Sequence, residues 1–585
     1  MRHLPYVALT LLLAAGAPAF AQQATDGVAP EAEVALDASA RAEPVRGKRW
    51  MVAVANPLAA RAAADVLASG GSATDAAIAA QAVLGLVEPQ SSGLGGGAFL
   101  VRRDGASGVI TTLDGRETAP RAATPRLFQD EAGEPLAFFA AVVGGRSVGV
   151  PGTPALMRAM HERWGRRDFA DLLAPAIGLA RDGFAVSPRL AGLVARAAPT
   201  FGADGPARDY FLPGGKPLQA GARLTNEAYA TTLETLAGAD GLDVFYRGAI
   251  GRRIVATVRG HGTNPGVMEP SDLASYEVKE RAPVCVGYRA HQVCGMGPPS
   301  SGAVAVGQIL GLVEPFDLAA LGPDDVQSWR IIGDASRLAF ADRGRYIADT
   351  DFVPVPVKGL LKPDYLRTRA RLLDRARPLD EVGPGEPEWD HARLQGDDES
   401  IEMPSTSHLS VVDADGNAVA MTTTIEGAFG SRLMVDGFLL NNELTDFSFR
   451  SHRDGRPIAN RVAPGKRPRS SMAPTIVTKD GALVAVVGSP GGSRIIPYVA
   501  NAIVALIDWR LGPQAAVSRP HLVNRFGTYD VEAGTPAEAM GARLEALGYT
   551  VKARALTSGL HVIVREADGL VGGADPRREG VVLAR

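Results

Sequence analysis

The feature that most constrains this chain is a junction near residue 405. Residues 378–404 (PLDEVGPGEPEWDHARLQGDDESIEMP) are polar, acidic and rich in Pro and Gly, a linker composition. At Ser405 the character changes abruptly to strand and hairpin patterning that continues to about residue 490. A long polar stretch that runs straight into a strand suits a segment destined to become a new chain end. The first strands are legible. Ser405-Thr406-Ser407-His408 and Leu409–Val412 lead to Asp413-Ala414-Asp415-Gly416, and Asn417–Thr424 returns. A three-residue loop over 414–416 makes Thr406 face Thr424. A two-residue loop would bring Ile425 there instead, because a one-residue slip reverses the faces. Only the first register brings two threonine hydroxyls together.

A second element lies downstream. Leu483–Val487 reads as a buried strand, Gly488-Ser489-Pro490-Gly491-Gly492-Ser493 as a glycine loop, and residues 493–508 as a helix with apolar positions Ile495, Ile496, Val499, Ile503, Leu506 and Ile507. Strand, glycine loop and helix amino end together aim backbone N–H groups outward, a geometry suited to a developing oxyanion as well as to a plain turn. Other residues carry weaker signals. Arg116, in Leu113-Asp114-Gly115-Arg116-Glu117, is a fork for a carboxylate or a surface arginine. Ser470 and Ser471 offer hydroxyls that could share that carboxylate. Glu443 and Asp446, after the apolar run Phe438–Leu440, suit an ammonium or a solvated loop.

Several chemistries are set aside. A hydrophobic content of 46% with 21% charged residues excludes a disordered chain. A net charge of −3 without a run of five basic residues argues against a nucleic-acid partner. Gly93-Leu94-Gly95-Gly96-Gly97 follows a helix and precedes the strand 98–102, the reverse of a dinucleotide loop. There is no Walker loop, no G-x-S-x-G and no H-E-x-x-H. Asp342, Asp349 and Asp351 lack ligand spacing and read as a solvated loop, so no metal is expected.

The amino terminus reads as a leader. Arg2 and His3 precede an apolar run, Val7–Ala15, too short to span a bilayer, and Ala19-Phe20-Ala21 is a cleavage signature. Removal after Ala21 places the mature chain in the periplasm or outside the cell. Residues 22–46 read as a disordered lead-in. Residues 57–87 form two Ala-rich helices broken at Gly70-Gly71, with Thr74 a cap for the second. Residues 148–345 are mostly helical. The two cysteines, Cys285 and Cys294, flank a hairpin that turns at Arg289-Ala290, so they face each other as a cross-strand disulfide or as packed thiols.

Taken together, these blocks resemble the gamma-glutamyltransferase (glutathione hydrolase) family of N-terminal-nucleophile hydrolases. The markers are Val87–Gly93, Arg116-Glu117 with Ala119-Pro120, Val148–Thr153, Pro298–Gly302, Thr406-Ser407-His408, Leu440–Glu443, Arg467–Met472 and Gly488–Arg494. The similarity runs from about residue 48 to about residue 580. The resemblance implies an α/β, four-layer αββα sandwich. It implies self-cleavage between Ser405 and Thr406, giving a heterodimer of a large subunit (47–405 after the lead-in) and a small one (406–585). Thr406 would be the nucleophile and its freed α-amine, with a pKa of about 7.7–8, the base. Thr424 would orient it, and the Gly491 and Gly492 amides would hold the oxyanion. Arg116, Ser470 and Ser471 would bind the substrate α-carboxylate, and Glu443 and Asp446 the α-ammonium. Glutathione or another gamma-glutamyl compound is the expected donor, and water, an amino acid or a peptide the acceptor, with no cofactor.

Two departures bear on specificity. Residue 426 is Glu where the family usually has Asn, which gathers three carboxylates and favours protonation of one. Residues 447–465, where many bacterial members carry a longer lid, are short and lack tyrosine, which suggests a more open pocket. Two other readings are a related acylase (glutaryl or cephalosporin amidase, or poly-gamma-glutamate depolymerase) and a non-catalytic binding protein on the same fold.

Overall fold

The computed structural model describes residues 43–391 and 394–585. The leader and most of the lead-in lie outside these residues. The lead-in boundary moves, because Val45–Gly47 is already a strand, paired with Leu570–Gly572.

Two seven-stranded sheets organise the chain. One runs, edge to edge, Val581–Ala584, Met51–Val54, Ser407–Val412, Ala418–Thr424, Gly97–Arg103, Ile110–Gly115, Lys279–Arg281. The other runs Val45–Gly47, Gly569–Ala574, His561–Glu566, Ala482–Gly488, Thr475–Lys479, His291–Gly295, Val284–Tyr288. Every pairing within them is antiparallel. One core joins Phe99, Val101 and Ala420 of the first sheet to Ile476, Val486 and Ile563 of the second, and to the helices Gly302–Val313 and Ile495–Ile507. A second core packs the other side of the first sheet (Leu100, Leu409, Val411) against Pro57–Ala68 and Ala73–Val87. Strands that are buried on both faces read as near-continuous apolar or small runs, and Ser407–Val412 and Ala418–Thr424 are buried throughout.

Local chemistry fixes the elements that carry the site. Asp413 Oδ1 accepts from the amides of Asp415 and Asn417 (3.0 and 2.9 Å), and Gly416 adopts φ +79°, so the loop holds three residues, 414–416. The resulting register pairs Ser407 with Thr423, as the three-residue reading requires. The helices at 57–68 and 73–87 break where expected, but Ser72, not Thr74, caps the second. Its hydroxyl accepts from Asp75 N and Asp75 answers to Ser72 N, a capping box that leaves Thr74 inside the first turn. The Cys285–Cys294 pair is a disulfide across the predicted hairpin.

Of the three aspartates expected in a solvated loop, Asp351 is exposed in a turn, but Asp342 and Asp349 are buried. Asp342 sits on the helix Val326–Tyr346, buried, and accepts from Gln308 and Tyr365 (2.7 Å each). Asp349 is also buried and takes the Arg467 amide at 2.9 Å and an ion pair from Arg281. Burying a carboxylate demands such partners. Among the described residues there is no cluster of metal-ligating side chains, and no helix long and apolar enough to cross a membrane.

Candidate active site

Thr406 lies immediately before the strand Ser407–Val412, which neighbours the central strand Ala418–Thr424 of the first sheet. It is buried, and its φ is +97°. A β-branched residue in that region stores about 1–3 kcal/mol of strain. Its Oγ1 lies 3.2 Å from Thr424 Oγ1, which in turn accepts from Glu426 N at 2.8 Å. The glycine run 93–97 packs against the backbone of Thr424. A Cβ on Gly96 would lie 1.9 Å from the Thr424 carbonyl oxygen.

The peptide on the amino side of Thr406 is held at several points. The Ser405 carbonyl accepts from the Gly491 amide at 3.2 Å. Ser405 Oγ donates to Gln90 O at 3.1 Å, and Arg578 donates to Thr406 O at 3.1 Å. The glycine loop follows strand Ala482–Gly488, as the sequence predicted, and a short 3-10 turn, Gly492–Arg494, precedes the helix. Gly491 and Gly492 have φ of +134° and +56°. A Cβ on Gly492 would meet Met403 O at 2.7 Å, so the loop lies flush against the linker.

Thr406, Thr424, Gly492, the five residues expected to bind carboxylate and ammonium, and Glu426, a further expected substrate contact, line one small cavity of about 20 Å³. Arg116, following strand Ile110–Gly115, is completely enclosed. It pairs with Glu443, with Asp446 (2.5 Å), and donates to the Pro468 and Arg469 carbonyls at 3.2 and 2.9 Å. Burial opposes its charge, but Glu443 and Asp446 outweigh that and hold it firmly protonated. Both acids sit in the 3-10 turn Glu443–Asp446, and burial pushes both carboxyls well above their ordinary range despite Arg116. One oxygen of each, Glu443 Oε2 and Asp446 Oδ1, is buried without a hydrogen-bond partner, so each retains accepting capacity. They are not solvated loop acids, and Arg116 is not a surface arginine.

Glu426 accepts from Met403 N at 2.7 Å and bonds Asn442. Burial raises its carboxyl to about 7, against the pull of these hydrogen bonds and of Arg116. A carboxyl that binds its proton more tightly when folded stabilises below its unfolded pKa, near 4.5, and loses that contribution as pH rises through about 7. Glu443 and Asp446 act in the same sense. In an uncleaved background, Glu426→Gln should therefore flatten part of the fall in urea midpoint between pH 4.5 and 7. An unchanged slope would show that Glu426 titrates normally.

Sequence reasoning missed the residues that hold this frame. Ser407 donates to Glu88 (2.8 Å), which pairs with Arg189 at 2.7 Å. The acidic linker is not solvated at its end. Asp398 pairs with Arg469 at 2.9 Å, and Glu402 with Arg343 and Ser471. Residues 447–465 form a short hairpin, His452–Arg453 with Arg456–Pro457, beside a cavity of about 830 Å³ that Phe138, Phe139 and Phe449 also line.

A family model described as Gamma-glutamyltranspeptidase matches residues 59–585. Glutathione hydrolase proenzyme of Bacillus subtilis (strain 168) is 38% identical over 516 residues, covering 86% of this chain and 85% of the relative. Acylase ACY 1 proenzyme of Pseudomonas sp. (strain SE83) is 35% identical over 558 residues, covering 94% and 96%. The crystal structure of cephalosporin acylase from Bacillus halodurans superposes with a TM-score of 0.83 at 29% identity, over 93% of this chain and 97% of that one.

Proposed function

The chain belongs to the gamma-glutamyltranspeptidase family, and from that membership we propose that it is a self-processing N-terminal-nucleophile hydrolase of αββα architecture that transfers or hydrolyses gamma-glutamyl groups. The observation that carries this reading is the scissile peptide itself. The Ser405 carbonyl rests on the Gly491 amide while the Thr406 hydroxyl, beside Thr424, belongs to the next residue.

In maturation, Thr406 Oγ1 attacks the Ser405 carbonyl carbon and gives up its proton, and negative charge gathers on the oxygen that faces Gly491. The C–N bond breaks, the nitrogen takes a proton to become the Thr406 α-amine, and Ser405 is left as an ester on Oγ1. Water hydrolyses the ester, releasing a Ser405 carboxylate and a free hydroxyl. The strained backbone at Thr406 is relieved by the cut. In turnover the same hydroxyl attacks a γ-carbonyl, with the α-amine as base and the Gly491–Gly492 amides as oxyanion donors. A donor of this kind typically contributes about 3 kcal/mol. The acyl group then passes to water, an amino acid or a peptide.

The oxygens that Glu443 and Asp446 leave unpartnered suit an α-ammonium, and Ser470 and Ser471 suit a carboxylate. The proposed site is a heterodimer of residues up to 405 and from 406, exported by the leader at 1–21 to the periplasm or medium, with glutathione as the expected donor. The short hairpin at 452–457 and its adjoining cavity favour access for donors larger than glutathione. An acylase reading is favoured by one observation, Glu426, at a position where the resemblance expects Asn in members that handle gamma-glutamyl groups. Release of p-nitroaniline from γ-glutamyl-p-nitroanilide and from glutaryl-p-nitroanilide separates the two. We expect kcat/KM to be higher for the γ-glutamyl donor. Turnover of the glutaryl compound alone would assign the chain to the acylases.

A further inference from the structure

The turn that closes the helix Ala73–Val87 grips the chain on both sides of the scissile bond. On the amino side, Gln90 O accepts from Ser405 Oγ at 3.1 Å. On the carboxy side, Glu88, which caps the helix, accepts from Ser407 Oγ at 2.8 Å. Scission separates the two grips, and only the one on Ser407 stays with the nucleophile. It also makes Thr406 a chain terminus that lies beyond the strand ladder. Pairing with Ala418–Thr424 begins at Ser407, and pairing with Met51–Val54 only at Leu409. The ladder therefore holds Ser407 along one edge alone.

Ser407 shares the helix-facing side of its strand with Leu409 and Val411, whereas Thr406 opens on the cavity beside Met472 and Ile495. The Glu88 contact thus works from behind the nucleophile, away from any substrate. It is firmly built. Glu88 and Arg189 are both buried. Glu88 Oε1 accepts from Arg189 Nη1 at 2.7 Å, which leaves Oε2 for Ser407. Arg189 Nη2 donates to Ser91 Oγ at 3.2 Å, and the Arg189 amide donates to Glu579 Oε1 at 3.0 Å. Arg578, the neighbour of Glu579, donates to the Thr406 carbonyl at 3.1 Å. Glu88 and Arg189 precede the scissile bond and Ser407, Arg578 and Glu579 follow it, so the network crosses the cut and does not depend on the peptide that breaks.

We propose that Glu88, held by Arg189, is a positioning residue for turnover: through Ser407 it clamps the new amino terminus and keeps the Thr406 hydroxyl and amine in reacting geometry. The inference rests on the self-processing reading above. A nucleophile on a chain end has lost the restraint of the preceding peptide, and a displacement of about 1 Å is enough to cost a large factor in rate. Before scission the Ser405 contacts to Gln90 and Gly491 supply that restraint. The clamp therefore matters more to the mature protein than to the cut.

The test compares wild type, Ser407→Ala, Ser407→Thr, Glu88→Gln and the double variant Glu88→Gln/Ser407→Ala. The rate of appearance of two bands reports scission, and kcat and KM on γ-glutamyl-p-nitroanilide, measured on fully cut protein, report turnover. Ser407→Ala should lower kcat at least about tenfold while KM and the scission rate each change by less than about threefold. Ser407→Thr keeps the hydroxyl and should recover most of kcat. Glu88→Gln has one accepting oxygen to divide between Arg189 and Ser407, so it should lose kcat in the same way, and it carries the comparison if Ser407→Ala does not fold. The double variant should be no slower than the slower single one, because both remove one contact. Equal losses in scission and turnover, additive losses in the double variant, or an alanine variant with wild-type kcat would overturn the assignment. Wild type decides the parent reading separately: a chain that stays whole fails that reading, whereas a wild type that matures and turns over leaves it standing whatever the variants do.

Discussion

Thr406→Ala should leave the polypeptide whole and without turnover. In the proposed mechanism the hydroxyl that cuts the chain and the amine that later serves as base both belong to this residue, so one substitution removes two successive chemistries. Denaturing electrophoresis should show a single band where wild type shows two, and mass spectrometry should find no fragment beginning at residue 406. Activity on γ-glutamyl-p-nitroanilide should fall by about 10⁴-fold or more, the scale on which loss of a nucleophile acts. Thr406→Ser keeps the hydroxyl and loses the methyl that restricts χ1, so it should mature more slowly but reach two bands. Scission of the alanine variant at the same bond, or retained turnover by the intact chain, would refute the mechanism. The surroundings make the alanine variant informative, because the Ser405 carbonyl is held by the Gly491 amide and not by the threonine side chain. The scissile geometry should persist without the attacker.

Much of this site could be read from the sequence because its parts are local. The Asp413–Asn417 turn carries its own chemistry, so the choice narrowed to a three-residue or a two-residue loop, and the Asp413 side-chain bonds decide for the first, which sets Thr406 facing Thr424. Strand, glycine loop and helix at 482–507 are contiguous and periodic. What was not legible depends on distant pairing. Arg343 and Glu402 are 59 residues apart, and nothing in the linker composition separates Glu402 from its acidic neighbours. Asp342 and Asp349 looked like loop acids because their arginine, tyrosine and glutamine partners come from other elements. The strand at Val45–Gly47 is too short to show a period, and exists because Gly569–Ala574 offers an edge. The parallel pair Thr528–Glu532 and Thr550–Arg554 drew no expectation, since it needs the intervening helix Ala537–Ala546 to cross over.

Arg116, proposed as a substrate contact, also carries a structural duty, and its removal should have the largest effect on stability. Its sequence-based role was to bind a substrate carboxylate. In the folded chain it is the counter-charge for two buried acids that lie 327 and 330 residues away, and it ties down the carbonyls at 468 and 469 that precede Ser470 and Ser471. Breaking a buried pair by removing one partner costs about 3–5 kcal/mol, because the other charge is stranded. Arg116→Gln in the Thr406→Ala background should therefore lower the urea midpoint strongly at pH 8. The loss should shrink at pH 5. Without the guanidinium the carboxyls of Glu443 and Asp446 rise further from an already raised position, so at low pH both are neutral and nothing is stranded. A loss that is small, or equal at the two pH values, would mean that the two acids do not depend on Arg116 and that its primary duty is to the substrate after all. With processing intact, Arg116→Gln should also impair γ-glutamyl turnover through both KM and kcat, since the ammonium site and the serine loop lose the same anchor together.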